Sequence, residues 1–166
     1  TLSLDATYSD AKTNLNFTGC SGTPVTLAVT QEDARASYTG ALFANTSCAA
    51  CGTATVPLSA TIQDITAAPG DPAYDPDAGD IRNATVTFVN RDTNTPIATV
   101  PVNLVGAGDT KTGSASFNWN LDIGQADSIS FRIGVVVGGY YSRNSAGDDA
   151  VVTVSRPLSS GFTTGG

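Results

Sequence analysis

Apolar and polar residues alternate with a period of two along most of this 166-residue chain. Leu2, Leu4, Ala6 and Tyr8 alternate with polar neighbours, and so do Val25, Leu27 and Val29. The pattern returns at Val56, Leu58, Ala60 and Ile62, then at Ala84, Val86 and Phe88, and runs again from Ile97 to Leu104. Ala115, Phe117, Trp119 and Leu121 follow, then Ile129, Phe131, Ile133, Val135 and Val137, and last Val152 and Val154. Successive side chains of an extended chain point to opposite faces, so each run predicts a strand with one face in a core. Pro57 predicts an edge position or a bulge within its run, because proline donates nothing to a ladder. Turn-forming clusters separate the runs at 92–96, 106–109, 138–139 and 144–148, and no window carries a helical period. The expected fold is all-β: an antiparallel Greek-key immunoglobulin-like sandwich with an extra N-terminal two-strand segment.

The division of the chain follows from the strand count. Residues 34–158 hold enough strands for a complete sandwich, with Trp119, Phe117, Phe131 and Phe88 as its expected core anchors. Residues 1–33 are then surplus, a β-strand segment ending near a polar break at Gln31-Glu-Asp33. A two-stranded ribbon is marginal in water by itself, so Leu2, Leu4, Ala6, Tyr8, Val25, Leu27 and Val29 are expected to pair with a sheet edge. That edge belongs to the sandwich, to a preceding domain or to another subunit. Residues 159–166 read as a Gly/Ser-rich tail or linker.

Charge narrows the partners. Eight Lys and Arg against fifteen Asp and Glu leave a net charge of −7, which argues against nucleic acid and favours divalent cations. The longest apolar stretch, Ile133 to Val137, is strand-sized and far short of a membrane helix, so no membrane insertion is expected. Scarce helix formers and abundant Thr, Ser and Asn fit strands with a solvent face.

Catalytic chemistry finds little to work with. The chain has no His, which removes Ser-His-Asp, Cys-His and His-ligated zinc arrangements. Glu32 is the only Glu, and the Asp residues cluster in loops with no facing pair across a cleft. No enzyme activity is expected.

Three further features carry alternatives. Cys48 and Cys51 lie in Ser47-Cys-Ala-Ala-Cys-Gly52, and Cys20 stands alone. Nothing helical follows Cys51, so a redox site is disfavoured against a local disulfide, or one joining Cys20 to either of the pair, with free thiols as the remaining alternative. The segment Asp71-Pro-Ala-Tyr-Asp75-Pro-Asp77-Ala-Gly-Asp80, with Asp64 before it, is the densest acidic run. It reads either as a loop site for Ca2+, which takes six to eight oxygens, or as an exposed acidic turn; Asp148-Asp149 would join the site if the loops meet. Tyr140-Tyr141 reads as strand-end packing or as a surface patch for a glycan or other surface ligand.

The segments Ala54-Thr-Val-Pro-Leu-Ser-Ala-Thr-Ile-Gln-Asp64, Gly79-Asp-Ile-Arg-Asn-Ala-Thr-Val-Thr-Phe-Val-Asn90, Val137-Gly-Gly-Tyr-Tyr-Ser142 and Val151-Val-Thr-Val-Ser-Arg-Pro157 resemble immunoglobulin-like repeats of large secreted bacterial surface proteins. The likeness spans about residues 34–166. It implies an extracellular or cell-surface spacer, adhesive or stalk role, with no family catalytic residues to carry over. Partners expected on this reading are copies of the chain itself or adjacent immunoglobulin-like domains. A structural subunit of a stalk, pilus-like fibre or sheath, joined by strand complementation, is the leading expectation. An adhesin or carbohydrate-binding module and a passive spacer are the alternatives.

Overall fold

The structure, a computed structural model, describes residues 31–66, 70, 74 and 79–158. Strand expectations at Leu2–Tyr8 and Val25–Val29 lie outside the described residues, as do Cys20, Asp71, Asp75 and Asp77. The described residues form an all-β immunoglobulin-like sandwich of ten strands: β1 (Glu32–Tyr38), β2 (Phe43–Asn45), β3 (Thr53–Asp64), β4 (Ala84–Asn90), β5 (Thr95–Pro101), β6 (Asn103–Leu104), β7 (Thr112–Asp122), β8 (Ser128–Gly139), β9 (Tyr141–Asn144) and β10 (Ala150–Ser155). The only helical pieces among them are two single 3₁₀ turns, at Ile81–Asn83 and Ala146–Asp148.

One layer runs β1-β3-β7-β6 and the other β2-β10-β8-β4-β5, and β9, paired with both β8 and β1, joins them into one continuous ten-stranded sheet. Chain crossings between layers at β3–β4 and β7–β8 give the Greek-key arrangement. Two pairs depart from the antiparallel expectation: β2 lies parallel to β10, and the start of β1 lies parallel to β9. Both arise because the chain from β1 to β2 passes from one layer to the other and so meets two strands running its own way. Alternation does the rest. In β3 the residues Ala54, Val56, Leu58, Ala60 and Ile62 are buried, facing Phe88, Ile133, Val135, Val152 and Val154 of the other layer.

The packing accounts for Pro57 and corrects one strand expectation. Pro57 sits in β3, between β1 and β7, paired opposite Asn118 with no bulge at that point. The β1 ladder has ended at Tyr38–Ala60, and the Pro57 carbonyl accepts from Ala41 N. The missing N–H therefore faces a flank where no ladder partner asks for it. The run Ile97–Leu104 is two strands in different layers, β5 and β6, because the chain crosses the sandwich at Pro101-Val102 and buries Val102 on the way. Finally, β1 begins inside the polar stretch Gln31-Glu-Asp33, where Glu32 and Asp33 pair with Tyr141 and Ser142.

Candidate functional site

The two poles of the sandwich hold different side chains. At the pole where β1 enters, Asp64 is buried at the end of β3. Its carboxylate accepts from Thr66 N at 2.9 Å, from the Thr66 hydroxyl, and from the buried Tyr141 hydroxyl at 3.1 Å. The Thr66 hydroxyl also lies 3.2 Å from Glu32 Oε2. Burial first, then the Asp64 charge, pushes the Tyr141 hydroxyl well above the ordinary phenol range. Gly79 lies across this group, and a Cβ there would come within 2.8 Å of the Tyr141 hydroxyl. Tyr140 meets the Tyr141 ring edge-on at 5.5 Å and stays partly exposed.

Of the five carboxylates singled out for Ca2+, only Asp64 and Asp80 are described, and both already hold protein partners. Asp80 caps the first 3₁₀ turn, accepting from Arg82 N, and forms an ion pair with the Arg82 guanidinium. That hydrogen-bonded guanidinium holds the Asp80 carboxyl down at about 2. Asp148 is bound by Arg143 at 2.6 Å, and Asp149 bridges Arg91 and Arg132 at 3.2 and 2.9 Å. Among the described residues no three Cys, Asp or Glu side chains are grouped to hold a metal ion.

At the other pole, Cys48 and Cys51 form a disulfide that closes a four-residue loop between β2 and β3. Beside it an open groove of about 740 Å³ is lined by Asn45, Ser47, Thr53, Ala54, Thr55, Asn120, Leu121 and Asp122. Thr55 donates to Asn120 Oδ1 across it.

The least complete feature is the outer flank of β7. All eleven residues of β7 pair with β3 on one side. On the other, only Gly113 and Ser114 pair with β6. Among the described residues, no strand pairs with that flank from Ala115 to Asp122. The inward side chains record the gap: Ala115 is buried, whereas Phe117, Trp119 and Leu121 are half-buried. Trp119 meets Phe131 of the facing layer edge-on at 5.1 Å, and Phe131 and Ile129 are half-buried too. Phe88, the fourth expected anchor, is fully buried.

Free sheet edges are usually defended by Pro, Lys, bulges or shortness. Edge strand β5 carries Pro96 and Pro101 and a register shift at Phe88/Val89. Edge strand β2 is three residues long. From Ala115 to Leu121, β7 has neither Pro nor charge: its outward residues are Ser116, Asn118 and Asn120. Reading the strand only for its core pattern misses this flank. The signal that marks it is the run of seven neutral, proline-free residues from Ala115 to Leu121, following a strand as short as Asn103-Leu104.

No family model matches the chain, and no curated protein matches it. Among solved structures, a CARDB domain of the PF1109 protein from Pyrococcus furiosus, in complex with di-metal ions, is similar at 14% identity with a TM-score of 0.40. The similarity covers 80% of this chain and 95% of that one. None of the described helical turns is long and apolar enough to cross a membrane.

Proposed function

We propose that this chain is a non-catalytic extracellular module that joins copies of itself, or adjacent immunoglobulin-like domains, into a surface stalk, pilus-like fibre or sheath by strand pairing. The observation that carries this reading is the undefended flank of β7 beside half-covered aromatic residues. An added strand there satisfies backbone groups and covers Trp119 and Phe131 together. The chain's lack of His, and carboxylates bound to arginines, Thr66 or Tyr141, support a role without catalysis. The likeness of residues 34–166 to repeats of secreted bacterial surface proteins supports the location. The calcium part of this reading rests on the acidic sequence run Asp71–Asp80, of which Asp80, like Asp64 before it, is already held by protein partners. A melting temperature lowered by chelator and restored by Ca2+ tests that part, and an unchanged one removes the ion.

Sedimentation of the full chain against a chain lacking residues 1–30 tests the assembly. The full chain is expected to associate with rising concentration and the shortened one to stay monomeric. Association that survives the deletion, or a full chain that never associates, contradicts the reading. A glycan-binding module is a second reading, resting on the groove that carries Asn45, Thr55 and Asn120. Array binding lost on Asn120→Ala supports it, and silence on arrays removes it.

A further inference from the structure

We infer that the Cys48–Cys51 disulfide is a thiol-exchange site, at which an incoming cysteinyl thiolate bonds to Cys48 and Cys51 leaves as a thiol. This goes beyond the strand-pairing reading above and does not depend on it. The ring contributes little to holding the fold. It closes only four residues, and the entropy that a cross-link removes from the unfolded chain shrinks with the loop. Neither cysteine belongs to the hydrophobic core. Hydrogen bonds pin the surrounding backbone without it: Thr46 N donates to Ser155 O at 3.0 Å, Ser47 N to Thr53 O at 3.1 Å, and Ile123 N to Gly52 O at 2.9 Å. The Thr46 hydroxyl adds another, to Cys48 O at 2.8 Å.

Access argues next. Thiol exchange is governed by which sulfur a thiolate can reach, and exposed disulfides are the labile ones. Cys48 is exposed and Cys51 half-buried. The two residues between them are alanines, too short to fold over either sulfur. On the Cys51 side the chain is pressed against the turn after β7: a Cβ on Gly52 would overlap Asp122 Oδ1 and crowd the Gly124 carbonyl. On the Cys48 side, Ser47 is exposed as well. Ser47 and Thr53, which flank the ring, also line the open groove of about 740 Å³, so a peptide-sized thiol has room to approach.

The chemistry is complete within the disulfide itself. The thiolate attacks in line with the S–S bond, its electron pair forms the new bond to Cys48 Sγ, and the Cys48–Cys51 bond breaks. Cys51 leaves as a thiolate that takes a proton from water. One disulfide replaces another, so no oxidant is required. The ring serves as the electrophile, which needs neither a helix N-terminus nor a lowered thiol pKa. Two sources supply such a thiolate: a free cysteinyl peptide, or Cys20, which the pairing of Cys48 with Cys51 leaves as the odd cysteine of the chain.

The test incubates the folded full chain with reduced glutathione at about pH 8, where thiolate begins to form. The mixture is acid-quenched, its free thiols are capped with maleimide, and the peptides are read by mass spectrometry. Glutathione is expected on Cys48 with maleimide on Cys51, at least about tenfold over the reverse pattern. Because the released Cys51 can close the ring again, Cys51→Ser provides a second reading. Treated with oxidised glutathione, that variant should hold the adduct on Cys48 and melt where the untreated variant melts. A companion incubation without added thiol compares the chain with Cys20→Ser. A Cys20–Cys48 linked peptide in the first and not the second assigns the chain's own thiol as donor, whereas adducts from glutathione alone assign a free thiol; either outcome upholds Cys48 as the site. Adducts chiefly on Cys51 overturn it. So does exchange that appears only in denaturant that unfolds the sandwich, or no exchange in either incubation.

Discussion

At the pole where β1 enters, Ile81, Val102 and Tyr141 are buried, whereas toward the disulfide pole Phe117, Trp119, Leu121, Ile129 and Phe131 are only half-covered. The difference comes from what flanks the strands and not from their hydrophobicity. At the first pole β6 pairs with β7, and Gly113 lets Val102 approach so closely that a Cβ would overlap it and would press on Ile81. Asp64, Thr66 and Tyr141 then close the end with hydrogen bonds. Toward the second pole the Trp119–Phe131 pair lies beside a strand that, among the described residues, has one side unpaired. A core can carry its bulkiest side chains at the place where it is least sealed.

Truncations at the two poles should expose this contrast. Phe88→Ala in the sealed core is expected to cost about 3–5 kcal/mol, because the cavity it leaves cannot collapse. Trp119→Ala is expected to cost less than that in dilute monomer, about 2 kcal/mol, despite the larger side chain, since part of the ring is already in contact with water. Urea denaturation of both variants at low concentration measures the pair, and equal losses would erase the distinction between the poles.

Removing the polar closure comes next in size. Tyr141→Phe withdraws a buried donor from Asp64 and is expected to cost about 1–3 kcal/mol. Alkali attacks the same element. Burial pushes the Tyr38 hydroxyl, which donates to Ala41 O, up to about 12, and Tyr141 is raised as well. Because the folded values lie above the ordinary phenol value near 10, this stability is complete below about pH 10 and is lost as pH rises through about 12. Denaturation followed from pH 8 to 12 should show a flat region and then a fall, with the fall reduced in Tyr141→Phe.

The disulfide pole should respond more weakly. Reducing Cys48–Cys51 frees a four-residue loop and is expected to cost about 2 kcal/mol or less, read as a small drop in melting temperature. The smallest effect belongs to exposed Asp80. Arg82→Ala should raise its titration from about 2 toward the ordinary 3.8, seen by NMR, with the wild-type contribution present above pH 4 and lost as pH falls through 2.

Much of the sandwich was legible because period-two alternation with β-branched and aromatic residues survives in its long strands: β3, β7 and β8 follow it almost residue by residue. Legibility fails where the inward residues are small or the strand is short. β1 hides Ala34 and Ala36 behind Glu32, Asp33 and Arg35, and β2 spans three residues. The split between β5 and β6 turns on one buried valine, Val102, in a run that alternates without interruption. Asp64 shows the limit for sites. Its sequence neighbours suggest a cation, while its partners in the fold are Tyr141, distant by 77 positions, and Thr66. The arginine partners of Asp149 were equally out of reach, because Arg91 arrives from the turn after β4 and Arg132 from β8. Gly134 has the same origin: its missing Cβ leaves room for the Arg91 guanidinium that reaches Asp149.

The central proposal is that the flank of β7 from Ala115 to Asp122, unpaired among the described residues, gains a strand on assembly. Backbone hydrogen exchange of the full chain, followed residue by residue as concentration rises, reads that flank directly. The account predicts that outward amides between Ala115 and Asp122 exchange quickly in dilute solution and become protected on association, while those paired with β3 stay protected throughout. Outward amides equally protected at every concentration, or equally open in the assembled state, would contradict it.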